Sequence, residues 1–227
     1  ALLKTLEEPP AHVVFILATT DLHKVPETVL SRCETHHFRA PTLETLTKTI
    51  GSIAKKEGYA LPTEALRLIA FLGEGSFRDT IGILQKVINA SADTKITTEE
   101  VLTITGAPKT EIIQNLVRAV INKDLAKALA QTRLASESNL DTKVLTKMLM
   151  HQARLVMLAL FAPELKKSLA EEVGEDAWQF IEEVKVMPGV KDLPVALREL
   201  LGAYEDIPKS TIPELPLELA LIKLLLK

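Results

Sequence analysis

From residue 42 onward, apolar residues recur at the spacing of amphipathic helices. Leu66, Ile69 and Ala70 show this spacing, as do Leu84 and Val87 further along. A repeat of three to four residues places such side chains on one helical face, so the pattern predicts helices and little else. The predicted helices cover 43–57, 63–72, 77–89, 98–104, 109–121, 124–135, 141–162, 175–187, 194–205 and 213–226.

Capping residues mark the ends of the first helices in this region. Thr42 and Ser76 stand directly before apolar-periodic segments, and Asp79 follows Ser76 in a capping-box arrangement. Gly58 and Gly73 follow the last periodic residues, where glycine commonly ends a helix. These signals predict a compact three-helix unit over 43–89.

The first forty residues have a different pattern. ALLKTLEE (1–8) reads as the end of a helix stopped by two prolines, and a short helix is predicted over 26–32. VVFILA (13–18) is continuously apolar and rich in β-branched residues, which is typical of a strand buried on both faces of a parallel sheet. THHFRA (35–40) alternates and predicts a second strand. The order strand, helix, strand predicts the last part of an α/β sheet.

Composition supports a helical protein without an excess of basic residues. The 227 residues are 47% hydrophobic but only 4% aromatic and include 37 leucines, which suits helix packing. The 27 basic and 30 acidic residues give a net charge of −3, and neither the stretch before residue 106 nor the one after it is basic. We therefore do not expect this chain to bind DNA through bulk positive charge. The chain begins inside a predicted helix, so we expect a piece of a longer protein.

The number of cysteines and the length of the apolar runs indicate the kind of cellular compartment to expect. The single Cys33 excludes an internal disulfide framework and a multi-cysteine zinc site, in agreement with a reducing cytoplasm. No uninterrupted apolar run reaches the ~18 residues of a spanning helix, so no membrane association is predicted. His36 and His37 are adjacent on a predicted strand and point to opposite faces, so no metal site is predicted.

The strongest motif for nucleotide binding is missing from the chain. None of the nine glycines is followed by lysine, so the phosphate loop G-x-x-x-x-G-K-[ST] does not occur. We therefore expect this stretch alone neither to bind ATP tightly nor to hydrolyse it.

Two residues of the first segment are candidates for contact with a phosphate. Thr20 follows the predicted strand 13–18, at the edge where α/β sheets bind ligands, although a threonine closing the turn before Asp21 is an equal alternative. Arg32 ends the short helix, where the helix dipole alone favours a cation. The functional alternative is an arginine finger that reaches a phosphoryl group held by another subunit.

A third candidate, Arg78, lies in the first turn of the helix capped by Ser76. The positive end of a helix disfavours a cation, so something should offset the charge of Arg78. Local reasoning favours the neighbouring carboxylates Glu74 and Asp79 over an anionic ligand.

Three segments together resemble a known family. ALLKTLEEPPAHVVFILATTDLHKVPETVLSRCETHHF resembles the second half of the ATPase domain of bacterial DNA polymerase III subunit gamma/tau, a clamp-loader AAA+ ATPase. GEGSFRDTIGILQKVI is similar to the lid helix of that family, and PELPLELALIKLLL to the end of its collar domain. The resemblance implies Thr20 as the sensor 1 residue, Arg32 as the finger acting in trans, and Arg78 as sensor 2.

The resemblance also implies an architecture and a function. We expect a mainly α chain with the C-terminal part of an AAA+ domain at 1–41, a helical lid at 42–105 and a helical collar at 106–227. The expected function is that of a replicative clamp loader, a component of the DNA polymerase III holoenzyme, which uses ATP and Mg to load the sliding clamp on primed DNA. Expected partners are the delta and delta-prime subunits, copies of itself through the collar, the sliding clamp and primer-template DNA. The alternative is a non-catalytic helical scaffold or a delta-prime-like subunit.

Overall fold

The computed structural model describes residues 2–226, and the chain divides into two compact units at the boundary between Ala40 and Pro41. The first unit holds helix α1 (Leu2–Glu7), a 3-10 turn at Leu22–Lys24 and helix α2 (Glu27–Leu30). Both short helices fall inside the segments predicted as helical.

The two strands predicted in the first unit are not formed. Residues 13–18 and 35–40 are irregular, and within the described part of the chain no backbone hydrogen bond pairs either segment with another extended segment; the Val13 amide only closes a turn by donating to the Pro10 carbonyl at 2.8 Å. Several of their large side chains are exposed, at 84% for Val14, 89% for Ile16 and 96% for Phe38. A strand is stabilised by the ladder that it shares with another strand, so an apolar run without a paired neighbour does not become one. The strand prediction is therefore wrong for residues 2–226.

The second unit is helical throughout, in agreement with the prediction of a mainly α chain. Its first four helices are α3 (Leu43–Lys56), α4 (Thr63–Leu72), α5 (Phe77–Ala90) and α6 (Thr98–Thr105). The next three are α7 (Thr110–Ile121), α8 (Leu125–Glu137) and α9 (Thr142–Phe161). The last four are α10 (Lys166–Val173), α11 (Glu175–Val184), α12 (Leu193–Asp206) and α13 (Leu215–Leu225). Only α10 was not predicted.

The predicted caps explain where two of these helices begin. The Thr45 amide donates to the Thr42 hydroxyl at the start of α3, and the Asp79 amide donates to the Ser76 hydroxyl at the start of α5, both at 3.2 Å. Each bond satisfies one of the amides that a helix start leaves without an intrahelical partner.

Two separate hydrophobic cores lie within the second unit. In the first, α3, α4 and α5 pack on one another and bury residues such as Leu46, Ile69 and Leu84. In the second, α9 packs against α7, α8, α11 and α12, and residues such as Leu149 and Leu200 are buried. We call these the lid core and the collar core; the exact domain boundaries at 41 and 105 stay predictions.

The 20-residue helix α9 is also long and apolar enough to cross a membrane, by length and composition alone. In the structure it is the central helix of the collar core, where eight of its side chains are buried. Core helices of this kind pass the same test, so the length of α9 is weak evidence for a span.

Candidate functional site

Arg78 is exposed in the first turn of α5, within the segment GEGSFRD. Among the side chains that the structure describes, which leave out those of residues 2, 3, 171, 172 and 176, Arg78 has no hydrogen-bond or ion-pair partner. The carboxylate of Glu74, expected to offset its charge, is instead bonded to other residues. A planar, permanently charged guanidinium at the positive end of a helix is suited to bind an anion such as a phosphate.

Glu74 forms a polar cluster with two residues from distant helices. Its carboxylate oxygen Oε1 lies 3.1 Å from Lys147 Nζ of α9 and accepts a hydrogen bond of 3.0 Å from Tyr204 Oη of α12. The bond to Lys147 holds the pKa of Glu74 below its usual range, against the opposing effect of burial. Burial raises the pKa of Tyr204 to about 12, and the bond to Glu74 acts in the same direction. We call Glu74, Lys147 and Tyr204 the Glu74 cluster.

The ammonium group of Lys147 has several neighbours in this cluster. It donates to the backbone oxygen of Phe71 at 2.9 Å and lies 4.7 Å from the centroid of the Phe71 ring. Burial lowers its pKa, while the bond to Glu74 opposes that shift. Sequence reasoning missed Lys147 and Tyr204, since nothing local marks a pair separated by so much chain.

Arg32 follows α2 and is bonded within its own unit. Its Nη1 donates to the Thr28 backbone oxygen at 2.7 Å and to the Ser31 hydroxyl at 3.2 Å, and its Nη2 lies 2.5 Å from Glu7 Oε1. The helix dipole alone favours a bond between an arginine and a carbonyl of the last turn of α2, so this bond does not by itself indicate a functional role. The role of Arg32 as a finger stays a prediction.

Thr20 lies in an exposed bend, and its neighbour Thr19 closes the turn. The Thr19 hydroxyl accepts a hydrogen bond of 3.0 Å from the Asp21 amide and also lies 3.2 Å from the Asp21 carbonyl oxygen. Thr20 itself has no side-chain hydrogen bond among the described residues. Its hydroxyl is thus available to a ligand, but a sensor role stays a prediction.

The structure describes the three candidates in two units. Thr20 and Arg32 belong to Ala1–Ala40, and Arg78 belongs to Pro41–Lys227. No group of three or more histidine, cysteine or acidic side chains in the described chain could hold a metal ion. The fit to a nucleotide therefore rests on Arg78, which matches a phosphate but supplies no ligand for magnesium.

Comparisons with known proteins point to subunits of DNA polymerase III. The family described as "DNA polymerase III subunits gamma and tau domain III" matches residues 96–227, and "DNA polymerase III, delta subunit" matches residues 1–42. The tau subunit of DNA polymerase III from Salmonella typhimurium is 32% identical over 226 residues, and that from Escherichia coli is 30% identical over 228. Each alignment covers 99% of this chain and 34% of the relative.

Two further similarities come from Bacillus subtilis. Its DNA polymerase III subunit tau is 28% identical over 224 residues, with 99% of this chain and 39% of the relative covered. The solved structure of its DNA clamp loader delta protein (YqeN) superposes with a TM-score of 0.46 at 17% identity, over 100% of this chain and 70% of that chain. The chain thus spans between 34% and 39% of the length of these tau relatives.

The gamma and tau family match covers more than half of the chain, and the tau relatives align along nearly all of it. The chain therefore belongs to the family of DNA polymerase III subunits gamma and tau.

Proposed function

We propose that this chain is the lid and collar region, with the end of the ATPase domain, of a gamma/tau-type subunit of a bacterial clamp loader. The whole subunit would use ATP binding and hydrolysis to load the sliding clamp onto primed DNA in the cytoplasm. The observation that carries the proposal is Arg78, an exposed cation at a helix start without a carboxylate partner in the described chain.

Each candidate residue takes one role in this proposal. Arg78 contacts the nucleotide phosphates of its own subunit as sensor 2, and Thr20 is the sensor 1 residue, whose hydroxyl orients a water or contacts a phosphate oxygen. Arg32 extends to the nucleotide site of a neighbouring subunit, and to do so it exchanges Glu7 for a phosphoryl oxygen. Bidentate contacts from arginine suit both carboxylates and phosphates, so this exchange is chemically matched.

ATP, when bound with Mg, supplies the free energy that opens and releases the clamp. The chain's own share is to hold phosphate oxygens through Arg78 and to carry the subunit contacts. Its partners are the delta and delta-prime subunits and copies of itself through the collar helices. The sliding clamp and primer-template DNA bind through the whole assembly, which agrees with the absence of a basic excess in this chain.

The test compares two arginine variants in the intact subunit assembled with its partners. Arg78→Ala should weaken ATP binding in cis by roughly 1.5–3 kcal/mol, the range for hydrogen bonds to charged groups. Arg32→Ala should leave affinity nearly intact and lower turnover, by on the order of 10³-fold where one site depends wholly on a trans finger. Equilibrium nucleotide binding and clamp-loading rates are measured side by side.

A third arginine serves as the matched control. Arg133 is an exposed residue of α8 that pairs with Glu137 one turn away, and Arg133→Ala should change neither affinity nor rate. If Arg32→Ala loses affinity while Arg78→Ala keeps it, the cis and trans roles are assigned the wrong way round. Wild-type behaviour of both variants would exclude the proposed nucleotide contacts.

A second candidate function is a non-catalytic, delta-prime-like or scaffold subunit. The match of residues 1–42 to a family described as a delta subunit favours it. ATP binding by the intact subunit separates the two, because a scaffold without a phosphate loop does not bind ATP.

A further inference from the structure

The collar helix α9 supplies the cap for the end of the lid helix α4. The last carbonyls of a helix lack intrahelical donors and carry the negative end of the dipole, which favours a cation there. Lys147 of α9 donates to the Phe71 carbonyl in the last turn of α4, and its side chain is only 17% exposed. A collar residue thus completes a lid helix.

The same ammonium group holds the loop that follows α4. It pairs with Glu74, whose backbone has a positive φ of 53°, an uncommon conformation for a residue with a side chain. Tyr204 of α12 donates to the same carboxylate oxygen, and Lys143 Nζ lies 5.2 Å from the Tyr204 ring. Two collar helices therefore converge on one lid residue, four positions before Arg78.

Short contacts join the loop after α4 to the first turns of α5. A methyl group placed on Gly73 would lie 2.0 Å from the Thr80 hydroxyl oxygen and 2.8 Å from its Cα, so this residue abuts the first turns of α5. The Ser76 amide donates to the Gly73 carbonyl at 2.9 Å, and the Thr80 hydroxyl donates to the Ser76 carbonyl at 2.7 Å. Movement of the loop is therefore carried into the helix start.

We propose that Lys147 and Tyr204 are positioning residues that act on the bound nucleotide through Glu74 and Arg78. A shift of α9 or α12 would then change the affinity of the lid for ATP, and by linkage ATP binding would bias the packing of those collar helices. This inference rests on the proposed function, since it takes Arg78 as the nucleotide contact.

A double-mutant cycle in the intact subunit tests the inference. Lys147→Met removes the charge and keeps an apolar stem, and should weaken ATP binding about 5- to 10-fold, within the usual range of coupling between sites. In an Arg78→Ala background the same change should have less than about a 2-fold effect, because the residue through which it acts is gone. Lys127→Met, at an exposed pair with Asp124, is the matched control and should leave affinity unchanged.

Hydrogen exchange of the 73–78 amides supplies a readout that does not depend on nucleotide. Lys147→Met and Tyr204→Phe should each speed exchange there, and Tyr204→Phe keeps the ring, so it serves if Lys147→Met fails to fold. Unchanged affinity and exchange in both variants would overturn the inference, as would an equal affinity loss in the Arg78→Ala background. If Arg78→Ala itself binds ATP like wild type, the proposed function fails instead. Faster exchange with unchanged ATP affinity would also overturn the inference, because the Glu74 cluster would then only order the loop.

Discussion

At the scale of single residues, His151 of α9 should make the stability of the collar depend on pH. Its ring packs on Phe71 with centroids 4.7 Å apart, and burial lowers its pKa from 6.5 to about 4, with smaller effects from Arg154 and Lys147. Unfolding restores the higher pKa, so the unfolded state binds the proton more readily. The stabilising contribution is complete above about pH 6.5 and is lost as the pH falls toward 4.

The loss should amount to on the order of 3 kcal/mol across that window, at 1.36 kcal/mol per pKa unit. Denaturant unfolding at several pH values measures it. His151→Gln should flatten the curve between pH 6.5 and 4, because the variant side chain does not titrate. An identical pH dependence in the two proteins would show that another group is responsible.

Residue-scale features could be predicted from sequence where the interaction is local. The Thr42 and Ser76 caps each bond to an amide three residues away, so a short window of sequence contains both partners. The Glu74 cluster could not be predicted in this way, because Lys147 and Tyr204 belong to other helices. The sequence analysis therefore asked correctly what offsets the charge of Arg78. Glu74, however, bonds to Lys147 and Tyr204 and does not pair with Arg78.

At the scale of elements, the turn that contains Gly189 packs closely against helix α7, so a substitution of Gly189 should lower the free energy of unfolding. A methyl group on Gly189 would lie 1.9 Å from the Ile121 carbonyl oxygen, a backbone atom that cannot move freely. Gly189→Ala should therefore destabilise the collar by roughly 1–3 kcal/mol, the usual cost of overpacking. Chemical denaturation measures the change.

A second glycine offers the matched control. Gly82 lies inside α5 with nothing near the position of an added methyl group, so Gly82→Ala should stabilise the lid by about 0.5–1 kcal/mol. Equal effects of the two substitutions would mean that the turn at Gly189 relaxes without cost.

Secondary-structure elements could be predicted from the sequence where their backbone hydrogen bonds form within a single segment. A helix pairs its backbone groups within one segment, and the helices from α3 to α9 lie close to their predicted bounds. A strand needs a neighbouring strand for its backbone hydrogen bonds. Segments 13–18 and 35–40 therefore have the sequence pattern of strands but are irregular in the structure. Helix α10 was missed because its short polar sequence, KKSLAEEV, carries little periodic signal.

At the scale of the whole molecule, the collar should associate with copies of itself. Helices α12 and α13 leave large apolar side chains uncovered, among them Leu201 at 52% exposure and Leu219 at 56%. Burying such a surface between subunits is favourable, at roughly 25 cal/mol per Å² of apolar area. Light scattering over a dilution series should show self-association at micromolar concentration or higher.

A charged substitution on this surface tests where the subunits meet. Leu219→Glu should lower the association, whereas Val186→Glu, at an exposed position after α11, should not. A 25.0 kDa monomer at every concentration would show that the collar alone does not carry the subunit contacts.

The separation of the lid core from the collar core changes what a measured stability means. The buried apolar side chains of the two cores form separate clusters, with contacts of Lys147, Tyr204 and His151 between them, so one cluster can lose its packing before the other. A protein built this way need not melt in one cooperative step, and a single melting temperature then averages two transitions. The cost of Gly189→Ala is accordingly a property of the collar transition, and the gain from Gly82→Ala a property of the lid transition.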